Sequence, residues 1–280
     1  MNLYTINTGH FKLDGGAMFG VVPKSIWNKL NPADENNMCS WAMRCLLIED
    51  GGRLILIDNG MGGKQDAKFF GHYYLHGGDN LDNSLAFHGF SVKDVTDVFL
   101  THLHFDHCGG SIKWNNDRTK FEPVFKNATY HVHQEHWNEA LHPNVREKAS
   151  FLKENILPIE ESGHLKLFGD DMNLHPEVTL FKSNGHTNSM MIPQIKFGEL
   201  NIAFMADLIP SVGHISPNYV MGYDVRPLET MRERTSFLTK AVHEKTILFF
   251  EHDPIHECAT VIQTDKGFKC EATFRLTDLL

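Results

Sequence analysis

The segment Thr101-His102-Leu103-His104-Phe105-Asp106-His107-Cys108-Gly109-Gly110 constrains this chain more than any other stretch. It follows the apolar run 97–100, which reads as a strand, so four metal-ligating side chains crowd into six residues at a strand end. Alternate side chains of extended backbone point the same way, which sets His102 and His104 on one side. The turn that follows, with Gly109 and Gly110 expected to loosen it, swings Asp106 and His107 toward a second position. Two neighbouring metal positions sharing one opening are the expectation.

A histidine pair does not complete even one catalytic zinc site, which takes three protein ligands and leaves a place for water. Three further residues stand where apolar runs end: His186 in Asn184-Gly185-His186-Thr187, Asp207 in Phe204-Met205-Ala206-Asp207, and His252 in Phe249-Phe250-Glu251-His252. Ligands at the ends of rigid elements are how a fold holds a metal constellation. Asp58 closes the run 54–58 and is expected to orient a metal-bound histidine, or else simply to make a turn. His131 and His133 repeat the HxH spacing without a following Asp-His and read as ordinary strand residues. His72, His76, His88 and His214 are candidates to line the pocket, with an ordinary surface position the favoured reading for each.

The remaining sequence narrows the class. With 280 residues, 41% of them hydrophobic, the chain buries a substantial core, and residues 1–280 are expected to form a single domain. Lys and Arg total 26 against 35 Asp and Glu, and a net charge of -9 without a basic patch argues against nucleic acid. No basic stretch and apolar h-region opens the chain, and no segment approaches the ~18 apolar residues of a membrane span, so no membrane association and a cytoplasmic location are expected. Five cysteines without a CxxC pair suggest reduced, mostly buried thiols.

Runs at 44–49, 54–58, 98–101, 128–132, 178–182, 191–197, 201–205, 246–250 and 259–263 read as strands, with hairpin turns at Gly51-Gly52 and Gly198. Helical spacing appears at 134–141, 145–155 and 227–244. The stretch 60–90, rich in glycine, histidine and aromatics, has no steady period and reads as a long loop with some helix. Phe19, Trp27, Phe69, Phe70, Tyr73 and Tyr74 are candidates for an apolar pocket wall or for plain core.

The order HxHxDH, then GHT, then an aspartate at a strand end, then a late histidine resembles the signature of the metallo-β-lactamase superfamily, from residue 102 to 252. Leu54-Ile55-Leu56-Ile57-Asp58-Asn59-Gly60 is similar to that family's early strand and turn. The resemblance implies an α+β fold, a four-layer αββα sandwich with the metal site at the edge of the β-sandwich. It also implies that His102, His104 and His186 bind one metal, that Asp106, His107 and His252 bind a second, and that Asp207 bridges them. The two divalent ions are expected to be Zn2+, with Fe or Mn as alternatives. Asp106 and Asp207 would be the catalytic carboxylates, Asp106 passing a proton from a metal-bridging hydroxide to the leaving group.

Aspartate at 207 differs from the cysteine or serine of true zinc β-lactamases, and His104 differs from the glutamate of diiron oxygen reductases. Gly15–Lys24 and 44–49 look like the lactonase and methyl parathion hydrolase-like subgroup, which leaves a small ester or lactone as substrate. The turn His186-Thr187-Asn188-Ser189-Met190 and Ile209-Pro210 depart from the lactonase pattern, which carries a tyrosine shortly after the bridging aspartate; Tyr219 or Tyr223 is a candidate replacement. A mononuclear iron oxidoreductase of the persulfide dioxygenase kind is the alternative. A small-molecule substrate, no nucleic-acid or membrane partner, and a homodimer as one candidate assembly complete the expectation.

Overall fold

Every apolar run assigned to a strand lies in one of two six-stranded sheets in the computed structural model, which describes residues 1–279. The first sheet has the order β1 (Asn2–Asp14), β2 (Met38–Asp50), β3 (Arg53–Ile57), β4 (Asp97–Phe99), β7 (Thr129–His133), β8 (Leu165–Phe168), while β5 (Ile112–Trp114) and β6 (Phe121–Pro123) form a separate hairpin. The second has the order β14 (Gly267–Phe274), β13 (Cys258–Thr264), β12 (Ile247–Phe249), β11 (Leu200–Phe204), β10 (Met190–Phe197), β9 (Val178–Ser183). The β2–β3 and β10–β11 hairpins form at the expected turns. The helices are α1 (Gly15–Phe19), α2 (Lys24–Trp27), α3 (Ala67–Tyr73), α4 (Leu81–Phe87), α5 (Phe105–Cys108), α6 (Gln134–Leu141), α7 (Lys153–Glu161) and α8 (Pro227–Glu244).

The chain divides into two compact units, one built from Met1–His10 and Met43–Met172, the other from Phe11–Ala42 and the chain from Asn173 onward. In the first, β3, β4, β7 and β8 are parallel neighbours, joined by crossovers that carry α3 with α4, then α5, then α6 with α7. Parallel strands need such crossovers and are covered on their faces, which explains why β3 and β4 are nearly continuous apolar runs. Leu54, Leu56, Val98, Leu100, Tyr130 and Val132 enter one core with Trp137, Ile156 and Ile159 of α6 and α7. Each such side chain contributes about 1.5–3 kcal/mol on burial.

In the second unit β11 and β12 are the parallel pair, flanked by antiparallel strands. Helix α8 begins on Pro227, whose missing N–H costs nothing in a first turn, and ends on Lys245 in the left-handed region at φ 54°. Phe237 of α8 packs edge-on against Phe181, and Phe204 stacks on Phe249 at 5.7 Å. Among the described residues no helix is long and apolar enough to cross a membrane.

The sequence reading of a helix at 145–155 is corrected. Residues 145–150 are turns, Val145 is 98% exposed, and α7 starts only at Lys153. Asn144 caps the single turn that does form, its Oδ1 accepting the backbone N–H groups of Arg146 and Glu147 at 2.9 and 3.1 Å and its carbonyl the N–H of Lys148 at 3.1 Å, but Phe151 enters the core and the turn is not continued into α7. The stretch 60–90 holds two helices, and β1, β8, β14 and the β5–β6 hairpin are additions to the strands read from sequence.

Candidate metal centre

Each of the four strand-following ligand positions lies three residues past the end of its strand. His102 follows Phe99 of β4, His186 follows Ser183 of β9, Asp207 follows Phe204 of β11 and His252 follows Phe249 of β12. Register makes this spacing effective. Phe204 pairs with Phe249 in the parallel β11–β12 ladder, so Asp207 and His252 leave the sheet side by side. In the other unit Ile57 pairs with Phe99, so Asp58 and the segment from Leu100 to His102 emerge together at the carboxyl ends of β3 and β4. That end of a parallel sheet is where open α/β folds place their ligands.

The first unit gathers His102, His104, Asp106 and His107, all buried, around Asp58. Asp58 sits at φ 55° in the turn after β3 and is buried there. It accepts the backbone N–H and the hydroxyl of Thr101 at 2.8 and 2.6 Å and the Nδ1–H of His107 at 3.1 Å. The single Thr101 hydroxyl proton is thereby committed to Asp58. His102 Nδ1, 3.1 Å from Thr101 Oγ1, must then donate, which leaves His102 Nε2 as an electron-pair donor. That Nε2 lies 3.1 Å from His104 Nδ1. His107 Nε2 stands 3.9 Å from Asp106 Oδ2.

In the second unit Asp207 offers one oxygen to each of two histidines. His186 Nε2 is 2.9 Å from its Oδ2, and His252 Nε2 is 3.1 Å from its Oδ1. Both rings are tethered from behind: His186 Nδ1 donates to the fully buried Asp224 at 2.9 Å, and His252 Nδ1 to the carbonyl of Ala42 at 2.8 Å. Burial works against charge on His186, but Asp207 and Asp224 outweigh it and raise its pKa to about 10.

These donor sets suit divalent metal. Two nitrogens each about 2.0–2.1 Å from a tetrahedral zinc lie roughly 3.3 Å apart. The 3.1 Å His102–His104, 2.9 Å His186–Asp207 and 3.1 Å His252–Asp207 spacings are close to that edge. Thiol ligation does not compete. Cys108 directly follows His107, yet burial pushes its thiol up to about 12 and its Sγ donates to the Leu103 carbonyl. All five cysteines are free and four are buried.

His131 and His133 lie on β7, bonded to Asp97 at 2.8 Å and Asp170 at 3.1 Å, away from the clusters described above. His72 and His76 are exposed and His88 is half-buried. The surface reading fails for His214, which is fully buried: its ring stacks on Phe19 at 4.3 Å and its Nε2 donates to the Met18 carbonyl at 2.9 Å. Burial, reinforced by Arg234, lowers its pKa to about 3 and keeps it neutral. Phe19 and Trp27 are core, whereas Phe69 and Tyr73 pack against Phe105 of the histidine motif at 5.4 and 4.7 Å.

Sequence reasoning missed Thr101, Asp224 and Glu147. Thr101 was adjacent to the motif and its hydroxyl was a usable signal. Asp224 and Glu147 gave none, because each reaches its histidine across the fold; Glu147 Oε1 lies 3.5 Å from His104 Nε2. Gly109 and Gly110 carry no positive φ, so they do not loosen the turn as expected. They allow close approach instead: a Cβ on Gly110 would fall 2.1 Å from the Asn59 carbonyl oxygen, and one on Gly109 2.2 Å from that of Met61.

A sequence model of the metallo-beta-lactamase superfamily matches residues 44–252. An N-acyl homoserine lactonase of Bacillus thuringiensis is 26% identical over 274 residues, covering 90% of this chain and 92% of the relative. Another N-acyl homoserine lactonase, from Bacillus cereus, is 25% identical over 281 residues, covering 95% and 96%. The structure of a probable metal-dependent hydrolase from Staphylococcus aureus superposes with a TM-score of 0.88 at 29% identity, over 98% of this chain and 96% of that one. A dizinc quorum-quenching lactonase superposes with a TM-score of 0.77 at 23% identity, over 98% and 95%, a likeness of fold.

Proposed function

The chain belongs to the metallo-beta-lactamase superfamily and has its fold, and from that premise we propose that it is a metal-dependent hydrolase using two ions, zinc in this reading, to cleave a small ester or lactone. His102, His104 and His186 would hold one ion, Asp106, His107 and His252 the other, with Asp207 shared. The observation that carries the reading is the tethering of imidazoles at Nδ1: Asp58 holds His107, Asp224 holds His186 and the Ala42 carbonyl holds His252. Such partners fix ring orientation and raise ligand basicity, which a metal site needs and a packed core does not. When bound, the ions lower the pKa of coordinated water to about 7 and polarise a substrate carbonyl.

The protein's own groups supply the rest. Asp106 takes a proton during attack and returns it to the departing oxygen. In a lactone that oxygen stays joined to the acyl product, so one carboxylate serves both transfers without diffusion of a leaving group. Asp207 presents one oxygen to His186 and the other to His252, which suits it to a shared role. An N-acyl homoserine lactone is the first substrate to try, on the strength of the Bacillus relatives. Ile209-Pro210 replaces the usual position of the tyrosine whose hydroxyl would stabilise the oxyanion, and Tyr219 or Tyr223 would supply that hydroxyl in this reading.

The test is elemental mass spectrometry of the purified protein, with hydrolysis of lactones, aryl esters and phosphotriesters before and after chelation. Two zincs per chain and chelator-sensitive lactone or ester turnover are expected. A single iron per chain without hydrolysis would overturn the reading in favour of an oxidoreductase.

A further inference from the structure

Residues 59–64 lie along residues 107–111 as a backbone splint. Asn59 N–H donates to the His107 carbonyl at 2.9 Å, Gly110 N–H donates to the Gly60 carbonyl at 2.8 Å, and Asn59 Nδ2 donates to Ser111 Oγ at 2.8 Å. Gly62, at φ 68°, is pressed so closely that a Cβ would lie 2.6 Å from the Gly109 carbonyl oxygen. Lys64 ends this splint. Its side chain is buried, its ammonium donates to the Gly109 carbonyl at 2.5 Å, and its own carbonyl accepts the Trp114 indole N–H at 2.9 Å. Burial lowers its pKa to about 8, a measure of what it costs to keep an ammonium there.

Gly109 follows directly on α5, the turn of helix that carries Asp106 and His107. A cation on a helix's final carbonyls satisfies their orphaned lone pairs and opposes the negative end of the dipole. A methionine would fill the same space with no charge to desolvate, so packing alone does not account for lysine here. We propose that Lys64 is a positioning residue for the second metal, its ammonium clamping Gly109 and thereby fixing the turn that presents Asp106 and His107. This rests on the dinuclear reading above. It adds a residue forty-two positions upstream of Asp106 that touches neither ligand.

The test compares zinc-loaded wild type, Lys64→Met and Lys64→Arg by stepwise chelator competition, thermal unfolding of the metal-free forms, and kcat and KM on the best substrate of the panel. Expected for Lys64→Met are at least a tenfold loss of affinity for one of the two zincs, little change for the other, and a fall in kcat with KM nearly unchanged. Lys64→Arg should restore most of the affinity. Equal loss of both zincs with a collapsed melting transition, or affinities within twofold of wild type, would overturn the proposal. Should Lys64→Met not fold, Lys64→Gln, which keeps an N–H donor without the charge, takes its place in the same comparison. Wild type that binds fewer than two metals would instead defeat the dinuclear reading itself.

Discussion

Asp207 and His252 each stand three residues beyond a strand, and because Phe204 pairs with Phe249 in the parallel ladder, Asp207 Oδ1 and His252 Nε2 meet at 3.1 Å. A side-by-side exit from paired strands, rather than a flexible loop, brings the two groups into contact. The proximity follows from the backbone hydrogen bonds of the β11–β12 ladder.

Asp224 holds the His186 ring at 2.9 Å and also accepts the Met221 backbone N–H at 3.2 Å, and Asp224→Asn leaves every proposed ligand in place while removing the carboxylate behind the ring. Zinc affinity is expected to fall about 10- to 100-fold, with the fold intact by circular dichroism. Chelator competition measures it, and an affinity equal to wild type would show that His186 needs no such partner.

Asp58 receives three hydrogen bonds in the structure, two from Thr101 and one from His107. Asp58→Asn keeps the size but cannot accept all three equally. It is expected to lower kcat and metal retention together by at least tenfold, with the His107 imidazole resonances displaced in NMR spectra of the metal-free protein.

The raised pKa of His186 gives a pH prediction. Its folded value, about 10, exceeds the ordinary 6.5, so the protonated ring stabilises the metal-free protein fully below pH 6.5 and that contribution is lost as pH rises through about 10. A metal ion must expel this proton. Between pH 7 and 9 zinc affinity should therefore climb about tenfold per pH unit, and calorimetry in buffers of different ionisation heat should record about one proton released through this group. Affinity independent of pH over that window would contradict the assignment.

Asp97 is a structural counterpart. Burial alone would raise its pKa, yet His131 at 2.8 Å and Arg53 at 2.8 Å, aided by Thr96, hold it well below the usual carboxylate range. The stabilisation is present above pH 3.8 and fades as pH falls through the depressed value. Asp97→Asn should cost about 1–3 kcal/mol in urea unfolding at pH 7 and progressively less in acid, with metal content unchanged.

Gly110→Ala places a methyl group 2.1 Å from the Asn59 carbonyl oxygen, a backbone atom that cannot swing aside. A loss of roughly 2–4 kcal/mol in stability is expected, together with weaker metal binding, since the displaced segment continues from His107. Unchanged unfolding would mean that residues 59–64 and 109–110 separate without penalty.

Much of this was legible in the sequence because the ligand-bearing segments are local. HxHxDH, the strand before it and the strand-end residues His186, Asp207 and His252 all announce themselves by type and spacing. The strands of the parallel cores were found for the same reason: buried on both faces, they are plain apolar runs. What escaped depends on distant partners. Asp224 and Glu147 are ordinary acids until the fold carries them to His186 and His104. The helix read at 145–155 failed because the one turn that Asn144 caps is not continued: Phe151 is drawn into the core ahead of α7. Gly109 and Gly110 were found but misunderstood, since a glycine serving close approach has the same appearance in sequence as one serving freedom.

The three-residue offset between strand and ligand also separates what can change in this chain from what cannot. Adding or deleting one residue between Phe204 and Asp207 would rotate the carboxylate away from His252, and no adjustment of the ladder restores it short of slipping the strand. The stretch 67–90 carries no proposed ligand, and it is tied to the motif through Phe69 and Tyr73, which pack on Phe105. Gene variants that alter residues 67–90 but keep Phe69 and Tyr73 should therefore retain their metals far more often than variants with one residue inserted ahead of Asp207.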